Sequence, residues 1–251
     1  MKIYQYLLFT TLSLLIITTV NAETISKNNI IVGYEFLLDA EENNPNLYDQ
    51  PYFILGHSTS ADWGNIAGWL RLENPTDSAN TQQGTDAGSA TKVWLKLDYN
   101  IGQSPFNTWV QSFTSSNKAA VEQDIYLGAS YDINYAKIKG SFGLGMQYAY
   151  GSFAPTGKSF NGISGVGITL ILGYPITPEW FTKLYYEAQI GRSTEHKDVL
   201  SYESYGHQFV LGIDYLLQPQ LFASFLYKHR HSWGGAINDG GELFIEIGYT
   251  F

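Results

Sequence analysis

Residues 242–251 read ELFIEIGYTF, ten residues in strict alternation. Leu243, Ile245, Ile247, Tyr249 and Phe251 share one face of a strand, and Phe244, Glu246, Gly248 and Thr250 share the other, because strand side chains alternate with period two. An exposed strand edge is normally blunted by Lys, Pro or a bulge, since its unpaired backbone groups recruit further strands. This segment carries neither Lys nor Pro. Either another strand pairs with it, or its apolar face meets something other than water.

The opposite end of the chain narrows the choice. MKIYQYLLFTTLSLLIITTVNA (residues 1–22) has Lys2, an apolar run over 7–20, and Val-Asn-Ala before Glu23. That order of charged, apolar and small residues predicts a secretory signal peptide cut after Ala22. Residues 23–251 then form one domain of β-barrel length. The chain has no Cys, so it holds no disulfide and no thiolate site. Its 14 basic and 23 acidic residues become a net charge of −10 once Lys2 is removed, which argues against nucleic acid as a partner. Beyond the signal, no uncharged run approaches the roughly 20 residues of a spanning helix. A membrane location therefore requires strands. The 19 Tyr and 25 Gly residues suit a soluble sandwich as well as a barrel, so pattern has to decide.

Alternation and turn residues predict twelve strands, at about 30–38, 50–58, 63–73, 90–101, 105–115, 121–132, 135–150, 161–174, 179–191, 204–216, 219–231 and 240–251. The connections after even-numbered strands are short: TSAD, GQS, INY, PITP and LQP. Those after odd-numbered strands are mostly longer and polar, as in DAEENNPNLYD, NPTDSANTQQGTDAGS, SSNKAA, GSFAPTGKSF, RSTEHKDVLSYE and SWGGAIND. Sorting of loop length by parity belongs to bacterial outer-membrane barrels, whereas Greek-key crossovers are irregular. The fold class is therefore all-β, a twelve-stranded antiparallel transmembrane β-barrel. Closure pairs the last strand with the first and removes the exposed edge. It turns the apolar row to lipid and sets Tyr249 and Phe251 in the periplasmic interface belt.

The same alternation predicts the inner surface. It places Glu35 inside from the first strand, Trp69, Arg71 and Glu73 from the third, and Trp94, Lys96, Asp98 and Asn100 from the fourth. Strand six contributes Glu122, Asp124 and Tyr126. Strand nine contributes Phe181, Lys183, Tyr185, Glu187 and Gln189, strand eleven Phe222, Ser224, Leu226, Lys228 and Arg230, and strand twelve Glu246. A charge facing lipid at mid-depth costs about 2–4 kcal/mol, which enforces this assignment. With Lys137, Lys139 and Asp214 added, the inward charges nearly cancel, unlike the Arg and Lys rings of an anion pore. Strands two, five and eight are ambiguous. Interleaved aromatics and hydrogen-bonding groups suit a ligand with a flat ring and a polar sugar. The same rows also suit a lumen filled by side chains.

Catalytic and metal chemistry find little support. An activated Ser needs a His within hydrogen-bond reach, and none of the five His residues stands two positions from a Ser. His229 and His231 share a face near the outer rim, but no carboxylate or third His is visible in the sequence to complete a metal site. EHKD at 195–198 reads as a solvated loop. The acidic DAEEN stretch lacks EF-hand spacing for calcium. No catalytic residue, metal site or cofactor is assigned.

The signal peptide, the twelve-strand plan, the stretch WGNIAGWLRLEN (63–74) and the GYTF ending resemble the nucleoside-specific outer-membrane channels of the Tsx and OmpK type. In that family an acidic residue accompanies the aromatic–glycine–aromatic strand that matches Gly68 and Trp69; this chain has Arg71 there. The resemblance implies passive diffusion of nucleosides through a lumen lined by aromatic and ionisable groups. It also suggests a C-terminal strand read by the barrel-assembly machinery. Expected partners are outer-membrane lipid, lipopolysaccharide and a small near-neutral solute. Two rival readings stay open: a plugged barrel serving as adhesin or receptor, and an outer-membrane hydrolase.

Overall fold

The computed structural model describes residues 24–38, 43–44, 47–76 and 88–251. The expected signal peptide and most of the DAEEN stretch lie outside these residues. Twelve strands follow in order: β1 (Ile25–Leu37), β2 (Gln50–Ala61), β3 (Gly64–Glu73), β4 (Ala90–Asn100), β5 (Phe106–Ser116), β6 (Ala120–Tyr135), β7 (Ile138–Phe153), β8 (Lys158–Pro175), β9 (Trp180–Ile190), β10 (Tyr205–Leu216), β11 (Leu221–His231) and β12 (Gly240–Thr250). A short helix, α1 (Thr194–Leu200), lies between β9 and β10. Each strand pairs antiparallel with its sequence neighbours, and β12 pairs with β1 to close the barrel. At that seam Glu35 stands opposite Phe244. The pairing runs to the last residue: Phe251 N–H donates to Asn28 O, and Asn28 N–H to Phe251 O, both at 2.9 Å. Every backbone group along the closing strand thus has a partner, as a hydrocarbon surround demands.

The outward rows are apolar. Val32, Leu95, Leu127, Leu144, Phe225, Ile245 and Ile247 are all exposed on the outer wall. Aromatic girdles band both rims, with Trp180 against Tyr215 (4.5 Å between centroids) and Phe106 against Tyr131 (5.2 Å) at the short-turn rim, and Tyr34 against Phe36 (4.7 Å) at the other. These are the interfacial anchors of a spanning barrel.

Some expected boundaries shift. β1 begins five residues earlier than alternation suggested, because its polar start SKNN still pairs with β2. The INY segment belongs to β6, and the turn is Ala136-Lys137. Lys137 is therefore an exposed turn residue and Lys139 is exposed at the rim, so neither belongs to the enclosed inner charge set. β7 and β8 run on to Phe153 and back from Lys158, which shortens their connection to four residues. A bulge interrupts this pair between Met146 and Tyr148, where Gly165 adopts φ 81°. Only Gly takes that conformation without penalty.

Candidate functional site

The lumen is divided lengthwise. Along β5–β9 it is filled. Trp109 and Tyr126 stack with their rings 5.8 Å apart and 2° from parallel, and Trp233 completes the cluster. Trp109 lies over Gly143, where a Cβ would stand 2.8 Å from its Cε2, and Tyr126 lies over Gly167. Two residues without side chains make room for two large rings. Polar groups bind the cluster to the wall. Gln111 Nε2 donates to Glu187 Oε1 at 2.8 Å, and Gln189 Nε2 to Tyr126 Oη at 2.7 Å. Tyr185 and Gln208 also donate to Glu187.

The loop after β9 seals the outer end of this filled half. Ser193 caps α1 by accepting the His196 N–H at 3.2 Å. Val199 then packs on Ala149 and Phe160. EHKD is thus not a solvated loop: His196 is fully buried, stacked 4.4 Å from Phe160, with Ser164 Oγ 2.8 Å from its Nδ1. A Ser–His contact exists after all, made across 32 residues of sequence that no local spacing reveals. Arg192 joins the same region through Gln189, Glu203 O and Ser232. Tyr202 donates to Glu122 Oε2 at 3.2 Å. Burial, then the Glu122 carboxylate, hold the Tyr202 phenol well above its ordinary range, so it remains a donor.

The rest of the lumen holds space, and its walls reach onto β5–β9 at Phe113, Glu122, Phe153 and Tyr185. An outer cavity of about 580 Å³ is lined by Tyr48, Glu73, Glu122, Phe153 and Tyr202 among others. An inner cavity of about 400 Å³ is lined by Trp69, Arg71, Trp94, Phe113, Lys183, Tyr185, Gln208, Lys228, Phe244 and Glu246. Lys92, Arg230 and Gly234 border both and form the neck between them. The β11–β12 loop supplies Gly234 through a tight turn. Gly234 and Gly235 take φ 57° and 92°, and Trp233 N–H reaches Ala236 O at 2.8 Å. That turn folds Trp233 inward.

On the inner cavity's wall, Trp69 and Trp94 are register partners with rings 6.4 Å apart and 15° from parallel. Phe113 meets Trp69 edge-on, and Tyr185 meets Trp94 likewise. Beside them, from the next inward positions of β3 and β4 round to β1, β11 and β12, runs a chain of ion pairs. Arg71 reaches Glu35, and its Nε lies 2.9 Å from Glu73 Oε1. Lys92 Nζ lies 2.8 Å from the same Glu73 oxygen. Arg230 pairs with Glu242 and Glu35, and Lys228 Nζ lies 2.7 Å from Glu242 Oε2. Tyr52 supports this chain from below, its ring 3.9 Å from the Arg71 guanidinium and its hydroxyl 2.8 Å from Glu246. The near-cancellation of charge is radially sorted. Arg71, Lys92, Lys183, Lys228 and Arg230 line the inner cavity against Glu246 alone, while Glu35 and Glu242 lie buried behind them.

The predicted lining residues all fall on inward rows, yet they divide by place. Trp69, Arg71, Trp94, Lys183, Tyr185, Lys228 and Arg230 line the inner cavity, and Glu73 and Glu122 line the outer one. Glu35 is a buried partner rather than lining. Lys96 and Asp98 pair with each other, bonded to Ser141 and Ser130, outside both cavities. Asp124, Tyr126 and Glu187 belong to the filled half. Phe181 lies over Gly173 and Phe222 over Gly248, away from either cavity. Lys92 and Glu242 escaped attention although they continue the rows of Trp94 and Phe244 by two residues. Gln208 shares the inward row of Asp214, whereas Trp233 and Gly234, on the β11–β12 loop, carry no periodic signal.

His229 and His231, read as an incomplete pair, have further neighbours that do not gather into a ligand set among the described residues. His207 of β10 stacks 5.5 and 5.9 Å from their rings, and His231 Nδ1 lies 3.0 Å from Asp239 Oδ1. The third His and the carboxylate were hidden in a neighbouring strand and the following loop.

No individual curated protein matches the sequence. Among solved structures, the chain is similar to the NanC porin, at a TM-score of 0.56 and 10% identity, covering 88% of this chain and 98% of that one. It is also similar to the KdgM porin, at a TM-score of 0.48 and 11% identity over 89% and 99%. The NanC likeness is one of fold. Residues 35–251 match the family model described as nucleoside-specific channel-forming protein, Tsx. A passive outer-membrane channel is the function that this match and the porin-like barrel share, and the chain belongs to the Tsx family of channel-forming proteins.

Proposed function

We propose that the solute passed by this channel is a nucleoside, and that the inner cavity is where it pauses. The observation that carries the reading is that the Trp69–Trp94 plate and the basic groups of Arg71, Lys228 and Arg230 line one cavity of about 400 Å³. A planar base stacks on indole faces, while ribose hydroxyls exchange hydrogen bonds with guanidinium, ammonium and the Gln208 amide. A cavity of this size with apolar walls and a few convergent polar groups is typical of small-ligand sites. Because the basic groups are already paired and Glu246 already accepts from Tyr52, a passing solute borrows hydrogen bonds without creating an orphan charge. Binding stays shallow enough to release.

The protein is non-catalytic in this reading. Ser164 and His196 are 1% and 0% exposed, and Ser164 Oγ already accepts the Ser193 N–H, so no acyl group can approach the hydroxyl. Lipopolysaccharide meets the outer rim in the same reading, and β12 is the strand offered to the assembly machinery.

Planar-bilayer recording of the purified protein tests it. Millimolar nucleosides are expected to reduce conductance saturably, and ribose or glucose at equal concentration is not. Equal block by sugars would remove the nucleoside assignment. A silent barrel would favour the receptor alternative.

A further inference from the structure

We propose that Glu122, Asp124 and His196 form a site for one divalent first-row transition cation, of the zinc or manganese class, which rivets the inward-folded β9–β10 loop to the barrel wall. Glu122 and Asp124 project from one face of β6, and His196 comes from α1. One ligand atom from each lies within 4.8 Å of the other two, and all three side chains are buried. His196 Nε2 stands 3.4 Å from Glu122 Oε1. Two ligands about 2.0–2.2 Å from a tetrahedral ion stand roughly 3.3–3.6 Å apart, so the gap already matches a shared metal.

Charge supports the assignment. The filled half contains Glu122, Asp124 and Glu187 against Arg192, whose Nε and Nη1 are committed to Gln189, Glu203 O and Ser232. Among the described residues neither Glu122 nor Asp124 is ion-paired with Lys or Arg; Arg192 acts on Asp124 only from beyond ion-pair distance, and the His196 imidazole ring is the group in contact. Buried, adjacent carboxylates without a counter-charge are costly, and a divalent cation removes the imbalance.

The surroundings fit a ligand set. With Nδ1–H donated to Ser164 Oγ at 2.8 Å, the Nε2 lone pair of His196 points at the carboxylates. This is the outer-shell orientation usual for a metal-bound imidazole. Phe160 fixes the ring plane, 9° from parallel. Gln147 is fully buried, donates Nε2 to Asp124 Oδ1 at 2.7 Å, and leaves Oε1 with no partner. Glu122 lines the outer cavity, which supplies an entry path. Mixed imidazole and carboxylate donors favour a transition cation over calcium, which takes six to eight oxygens.

Titration calorimetry on the full barrel, stripped with chelator, tests this. The background variant is H229A/H231A, so that outer-wall imidazoles do not compete. One Zn²⁺ per chain is expected, with affinity lowered about 100-fold or more by Asp124→Asn and by His196→Gln, and about tenfold by Ser164→Ala. Ca²⁺ is expected to bind far more weakly. His196→Gln changes a loop residue, so it reports even where a strand variant fails to fold. Absence of uptake at millimolar Zn²⁺, uptake unaltered by His196→Gln, or a preference for Ca²⁺ would each overturn the site.

Discussion

Arg230 and Glu35 lie on β11 and β1 with the closing strand β12 between them, and Nη2 of one meets Oε1 of the other at 3.3 Å. From the other side, Arg71 reaches over β2 to the second oxygen of the same carboxylate. One buried glutamate is thus clasped across the seam by two guanidinium groups. Closing the ring brings residues 36 and 195 positions apart into a single ionic group.

Glu35→Ala removes the carboxylate that Arg71 and Arg230 share, leaving each with one partner, Glu73 and Glu242, and an excess of buried positive charge between them. Breaking such a group typically costs about 3–5 kcal/mol. Urea unfolding of the lipid-reconstituted barrel should show the loss, and a change below about 1 kcal/mol would mean that the clasp is not structural.

Trp69→Ala and Trp94→Ala should each weaken nucleoside block. Base stacking on an aromatic side chain is worth about 1–3 kcal/mol, which corresponds to roughly 5- to 150-fold in half-blocking concentration. Unchanged block in both variants would reassign the pair to wall packing.

Trp109→Ala removes the largest ring from the filled half. Single-channel conductance should rise, and stability should fall by about 3–5 kcal/mol, as for other buried Trp truncations. Gly143→Val, which drives a side chain into that ring, should destabilise without raising conductance.

The basic wall of the inner cavity should give a modest anion preference at low salt, read as the zero-current potential across a KCl gradient. Lys183→Gln and Lys228→Gln should shift it toward zero. The preference should fade near 1 M salt, where the screening length is about 3 Å. Cation selectivity in the native protein would contradict the radial sorting of charge.

Strand count, closure and most inward rows were legible because period two and the cost of charge in lipid act on each strand alone. β4 shows this: Val93 and Leu95 face out, and Trp94 and Lys96 face in. β5 was opaque since Thr108, Ser112 and Thr114 on its outer row are as polar as the inner one. β8 was opaque because its bulge reverses parity: Phe160 and Ser164 point inward above it, Gly167 and Thr169 below. Division of the lumen was not legible at all. It depends on α1 and Trp233 folding back from loops, and on pairs such as Ser164–His196 that meet only in three dimensions.

The extra residue at Gly165 gives β8 one spot where its length can change without turning a face. An indel in a hairpin tip leaves both flanking strands in phase. Deleting one of the two bulged residues leaves the other opposite Gln147, with Ile163 still against Tyr148 and Val166 still against Met146, whereas a deletion anywhere else in the strand swings every side chain beyond it to the opposite face. Length variants of this chain should therefore be confined to its rims and to this bulge.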